Sequence, residues 1–137
     1  MVQIGYRLWP YVSPGDFDAY HGAWCMKIIP VVFPVAGVAL LGSIALIWWR
    51  PAGVTATAVW LNLGVQLVTH ASTAAFWARW QANTHFAKLG DGTLDPMYAR
   101  IIAAHWLRAA LITLNGLVVL WMMVEHLSTR NRIMALP

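Results

Sequence analysis

His105-Trp106-Leu107-Arg108 places an imidazole and a guanidinium one helical turn apart inside an otherwise apolar stretch. That stretch, MYARIIAAHWLRAALITLNGLVVLWMMVEH from Met97 to His126, has no proline and one glycine. An imidazole in such a place can take a proton from a substrate. A guanidinium can hold a developing oxyanion through its planar fork of donors. A cation inside hydrocarbon costs at least ~2.5–3.5 kcal/mol, so Arg108 must face a bundle interior, water or a ligand. Two readings of Arg108 stand. In one it snorkels, or pairs with Asn62, Gln66 or backbone carbonyls. In the other it meets an anionic or enolic ligand, a lipid headgroup or a partner subunit.

A second polar group lies upstream. Asn62, Gln66, Thr69, His70 and Thr73 fall on one helical arc of roughly 100°. His105, Arg108 and Asn115 share an arc of roughly 80° by the same arithmetic. Lipid would leave such stripes unpaired, so they are expected to face each other and line one pocket. On this reading His105, Arg108 and His70 are the candidate catalytic residues. Asn62, Gln66, Trp106 and Asn115 line the pocket, with His85 and His21 closing over it. His70 and His105 could also ligate a metal or haem, since imidazole is the commonest metal ligand. No carboxylate accompanies them, however, and no two histidines share a helix at i, i+4. Hydrogen-bonded core histidines and no metal site are therefore expected. Phosphate-binding glycine loops and Ser-His-Asp arrangements are not visible.

The elements that must position these residues follow from composition and punctuation. The chain has 137 residues, 60% hydrophobic and only 10% charged, against roughly 25% charged in soluble domains. That much apolar surface calls for lipid as the solvent. Its net charge of +4 is carried by residues flanking apolar runs, which suits anchoring in a bilayer and not nucleic-acid binding. The single cysteine, Cys25, excludes an intrachain disulfide and a thiolate metal cluster. Residues 28–49, 54–80 and 97–124 each have the length to cross a bilayer, which needs about 20 residues. Trp48, Trp49, Trp77, Trp80 and Trp121 lie near the ends of apolar runs, as interfacial tryptophans do.

Residues 1–12 read as the last turns of a helix. Ser13-Pro14 starts a new one, with Pro14 at its first position. Phe17, Tyr20, His21 and Trp24 share a face of an interfacial helix over 14–26 that can run on into the first span. Pro30 and Pro34 are expected to bend that span. Arg50-Pro51-Ala52-Gly53 is a tight turn. Gly90-Asp91-Gly92 is a turn in the one real loop, and Asp95-Pro96 caps the last helix. The expected fold is all-α: an integral membrane helical bundle forming a single domain over 1–137, with three full transmembrane helices and an N-terminal interfacial helix.

The chain resembles the small four-helix membrane proteins grouped with anthrone oxygenases, most of them of unknown function. The resemblance rests on Arg7 through Phe17-Asp18-Ala19-Tyr20-His21, on His85 through Leu89-Gly90, and on His105-Trp106-Leu107-Arg108-Ala109. The family's final-helix motif resembles Asn-Trp-x-Arg-Thr, so the Trp and Arg match while the first and last positions differ. The family's first membrane helix would lie before Met1, leaving only its end in residues 1–12. The resemblance implies oxygenation of a polyketide anthrone to an anthraquinone without an obvious metal. The residues themselves imply an apolar pocket with a few polar groups, suited to a flat aromatic substrate, a quinone, a pigment or a lipid. The alternative is a non-enzymatic subunit of a larger membrane complex, or a homo-oligomer, whose stripes are satisfied by a partner helix or bound cofactor. In a bacterium the expected location is the inner membrane, crossed several times.

Overall fold

A computed structural model describes residues 2–135, with side chains from Gly5 onward. Met1, Leu136 and Pro137 lie outside the described residues. The chain runs α1 (Val2–Leu8), a 3-10 turn (Trp9–Tyr11), α2 (Pro14–Ala45), α3 (Ala56–Ser72), a π turn (Thr73–Trp77), α4 (Ala78–Ala82) and α5 (Pro96–Met134). The fold is all-α; among the described residues the only extended pairing is an isolated bridge between Lys88 and Leu94. Helices α2 and α5 are long and apolar enough to cross a membrane.

The interfacial helix expected over 14–26 runs on into the first span: α2 is unbroken from Pro14 to Ala45. Cys25-Met26-Lys27 holds neither glycine nor proline, so nothing interrupts the backbone ladder there. The helix also persists through Pro30 and Pro34, although each removes one amide donor. Elsewhere the boundaries differ from those expected. The helix stops short of the expected Trp49, finishing in turns in which Trp48 donates to Ala45 O and Trp49 to the same carbonyl. The second expected span, 54–80, is assembled from three pieces, α3, the π turn and α4. The last helix begins as expected but continues ten residues past Val124, to Met134. No glycine or proline interrupts Glu125 to Met134.

Contacts gather the chain into two compact units, where the sequence reading treats it as one domain. The first is Met1–Pro34 with Ser72–Arg108 and the second is Val35–Ala71 with Ala109–Pro137. In the first unit, α2 starts as expected at Pro14, but Ser13 Oγ donates to the Asp16 carboxylate at 2.6 Å instead of capping an amide. Asp95 does cap α5: its Oδ1 accepts the amides of Met97 at 2.8 Å and Tyr98 at 3.1 Å. The preceding loop folds back as a small hairpin. Gly92 turns it with φ +84°, and Asp91 Oδ1 accepts the Thr93 amide and hydroxyl. Those two bonds hold the exposed Asp91 carboxyl below its usual range. The core of this unit is Tyr6, Trp9, Phe17, Ala87, Tyr98 and Ile101.

In the second unit Val54, Ala58, Val59 and Met122 form the apolar core, with Leu46 and Ile47 against it. The turn before α3 is clamped to α5. The Thr55 amide donates to Glu125 Oε2 at 3.0 Å, which places a carboxylate on the α3 N-terminus, where the helix dipole favours it. His126 Nδ1 donates to Ala52 O at 3.0 Å. This clamp holds Glu125 and His126 of α5 to the turn, just past the apolar stretch.

Gly53 is the tightest point of the clamp. Its φ is +86°, and an added methyl group would strike the Thr129 side chain and stand 3.0 Å from Glu125 O. Gly53→Ala is therefore expected to destabilise the protein by roughly 1–3 kcal/mol, the cost of a strained backbone. Thermal unfolding in detergent checks this, and a melting temperature equal to wild type would refute it.

Candidate functional site

The expected site residues divide between the units. Asn62, Gln66, Asn115 and His70 belong to the second; His105, Arg108, Trp106, His85 and His21 belong to the first.

In the second unit the two polar stripes do meet. The Asn62 side chain, 1% exposed, donates to Ser43 Oγ at 2.7 Å. Ser43 in turn donates to Ala39 O at 2.8 Å. Asn115 Nδ2 donates to Asn62 Oδ1 at 2.8 Å, and Gln66 Nε2 donates to Asn115 Oδ1 at 3.1 Å. His70 Nδ1 donates to Gln66 O at 2.7 Å, which fixes its tautomer and leaves Nε2 as the acceptor. The facing of Asn62 and Gln66 toward Asn115 is as the helical arcs imply. Bonded to one another and to Ser43, these amides tie α2, α3 and α5 together. Ser43 is not among the expected site residues; a lone hydroxyl in an apolar run gives no periodic signal.

The first unit is built differently. Tyr6, Trp9, Phe17, His21, Trp24, Tyr98 and His105 form a continuous set of ring contacts. Tyr6 and His105 meet edge-on at 5.2 Å, Trp9 and His21 at 4.7 Å, and Phe17 stacks on His21 at 5.5 Å between centroids. Of the expected aromatic face on α2, Phe17, His21 and Trp24 enter this cluster, while Tyr20 is exposed. Tyr98 Oη donates to Tyr6 O at 2.8 Å, and Gln81 Nε2 donates to the Tyr6 hydroxyl. His21 Nε2 lies 3.4 Å from Cys25 Sγ. His85 pairs with Asp18 at 3.3 Å with both side chains mostly exposed, a contact worth little to stability.

Arg108 sits at the edge of this cluster. Its guanidinium carbon is 5.3 Å from the centroid of the Trp77 ring, within the range of a cation–π contact. Its Nε is buried and has no hydrogen-bond partner. The ion pair found among the described residues is Asp18 with His85, so no carboxylate answers the Arg108 charge. The π turn is what delivers Trp77: the widened turn from Thr73 to Trp77 puts that ring inside the protein. The sequence reading took Trp77 for an interfacial anchor, but it is buried, and Trp80 packs on the same core. Trp48 and Trp49 are exposed, as an interfacial reading requires. A π turn often marks a functional site, yet it leaves no signature in residue type.

Beside His105 lies a small void of about 20 Å³, lined by Tyr6, Arg7, Ile102, His105 and Trp106. It holds about one water molecule. Among the described residues no group of three or more His, Cys, Asp or Glu side chains is placed to hold a metal ion. None of the protein-family models, characterised proteins or solved structures compared with the chain matches it.

Two outcomes follow. Burial is the main influence on the Tyr6 phenol and pushes it up from 10.0 to about 12, against the lowering effect of Arg108 and the Gln81 bond. The folded state thus favours the neutral phenol. Its contribution is whole below pH 10 and is lost as pH rises from about 10 to about 12, a loss of about 2 kcal/mol. Melting curves of wild type and Tyr6→Phe should diverge over that window, with the variant less pH-sensitive; parallel curves would refute this. In the other unit, Asn62→Leu strands the Asn115 amide and should cost about 1–3 kcal/mol. Unfolding in detergent measures it, and an unchanged melting temperature would show that the ladder contributes nothing.

Proposed function

We propose that this is an integral membrane protein of three spans, formed by α2, by α3 through α4, and by α5. Its first unit binds the oxygen of an apolar aromatic molecule at Arg108 and His105. The lipid setting is supported by exposure. Only 6% of the most apolar window of α2 and 11% of that of α5 are buried, whereas the core helix of a soluble protein would be mostly buried. Val31, Phe33, Val35, Val38 and Leu41 all lie exposed on α2, and water would not tolerate that surface. Hydrocarbon about 30 Å thick would cover it.

The observation that carries the binding site is the unmatched Arg108. Its buried Nε has no partner and its guanidinium faces an aromatic ring, while the amides of Asn62, Gln66 and Asn115 in the second unit bond to one another. A carbonyl or enolate oxygen supplies the missing acceptor. The void beside His105 admits one atom-sized group. The rings of such a molecule therefore lie outside it, against the exposed Trp106. In the anthrone oxygenase chemistry that the sequence resembles, His105 takes a proton from the ring methylene and Arg108 holds the enolate oxygen. Dioxygen is the oxidant: one of its oxygen atoms becomes the new carbonyl, and the other leaves as water with the two methylene hydrogens. The small void also supports a second reading, a non-enzymatic subunit in which Arg108 is met by a partner helix.

The test pairs membrane extraction, ligand turnover and stability. The protein should stay in the membrane after a carbonate wash. In detergent it should speed the conversion of anthrone to anthraquinone under dioxygen above a micelle blank. Arg108→Leu should lower that rate by about 10²-fold, the usual cost of losing an oxyanion donor, while still inserting and melting near wild type. Arg108→Lys should rescue poorly, because an ammonium does not reproduce the fork. If Arg108→Leu melts much lower yet keeps full turnover, the arginine is structural and the proposal fails. A wild type without turnover that purifies with a second polypeptide, lost on Arg108→Leu, selects the subunit reading.

A further inference from the structure

A second cavity is far from the aromatic cluster in sequence and lies wholly within the second unit. It is a groove of about 290 Å³ at the turn between α2 and α3, lined by Leu46, Ile47, Trp48, Arg50, Val59 and Trp60 among others. Its chemistry is split. Leu46, Ile47 and Val59 make an apolar wall, and the first two continue the core of the unit. Arg50 and the indoles of Trp48 and Trp60 line the rest. No acidic side chain lines it, and Glu125 of the clamp accepts the Thr55 amide at 3.0 Å. Trp48 and Trp49, just before Arg50, are 70% and 77% exposed. Paired exposed tryptophans followed by an arginine, at the end of an apolar helix, mark headgroup depth.

We propose that this groove binds an anionic phospholipid, with Arg50 on its phosphate and the start of its acyl chains on the Leu46, Ile47 and Val59 wall. The proposal rests on the membrane reading above, but not on the Arg108 site. Charge complementarity selects the headgroup: a lone guanidinium in a groove without carboxylates attracts an anion and matches phosphate oxygens with two parallel donors. The apolar wall and the indoles select a lipid over a free phosphate, which would use the arginine and leave those side chains wet. An indole at that depth packs its ring on the glycerol and upper chain while its N–H faces the headgroup.

The test uses the full chain in mild detergent, supplied with phosphatidylglycerol and phosphatidylcholine of equal chain length, and native mass spectrometry counts the lipid retained. Phosphatidylglycerol should be retained in preference. Arg50→Gln should lower that preference about fivefold, the worth of one basic residue near an anionic surface. Arg132→Gln, a control on α5 outside the groove, should leave it unchanged. Trp60→Ala should weaken retention of both lipids. The proposal is overturned if the two lipids are retained equally, if Arg50→Gln and Arg132→Gln act alike, or if inorganic phosphate displaces phosphatidylglycerol. A carbonate wash of the same membranes separates the two levels. Release of the protein sinks the membrane reading and this site with it, whereas retention without lipid preference sinks the site alone.

Discussion

The Asn62 side chain carries the constraint on which the second unit depends. It is donor to Ser43 on α2 and acceptor from Asn115 on α5, while its own backbone belongs to α3. In apolar surroundings an amide has no water to fall back on, so each of its bonds is expensive to leave unmade. That expense gives the unit its register. Sliding any of the three helices by one residue would rotate a polar atom away from its partner and toward the apolar side. Leucines and valines around the ladder can repack; the amides cannot. The Glu125–Thr55 clamp at the α2–α3 turn then holds the same helices at a second level.

The first unit is organised by ring edges and faces instead. Trp9 is fully buried, with Tyr6, Phe17, His21, Trp24 and Tyr98 around it. Aromatic edge-to-face contacts add roughly 0.5–1.5 kcal/mol each beyond burial, so a cluster of this size can hold a short N-terminal helix that has few backbone bonds of its own. Two polar atoms in the unit are nonetheless buried without a partner, Trp9 Nε1 and Arg108 Nε. In the other unit, by contrast, the amides of Asn62, Gln66 and Asn115 bond to one another.

Much of the architecture was legible from residue type. Asp95-Pro96 announced the start of α5, Gly90-Asp91-Gly92 announced the loop turn, and the helical arcs put Asn62 and Gln66 across from Asn115. Each of these depends on local geometry or on a period of 3.6 residues. The continuity of α2 was partly legible, since nothing between Pro14 and Lys27 stops the helix from running on, and its two prolines suggest a bend and not an end. The clamp on α5 was not legible, since its partners are residues 52–55, some seventy positions away.

The candidate site shows the same division. Residue types alone determined that Arg108 and His105 share a helix face, that no carboxylate is near Arg108 in sequence, and that the chain is too apolar for an ordinary soluble domain. A charge and a period are written in the chain itself, which is why those conclusions needed no coordinates. Only the tertiary structure decided that His70 belongs with Gln66 in the hydrogen-bonded unit, that Trp77 is turned inward against Arg108, and that Tyr6 meets His105 while Tyr98 donates to Tyr6 O. Those are outcomes of which faces pack and of a single widened turn at Thr73–Trp77. A shift of one residue in helical phase is a small change in backbone geometry, yet it redirects every side chain that follows by about 100°. Composition and periodicity do not record it.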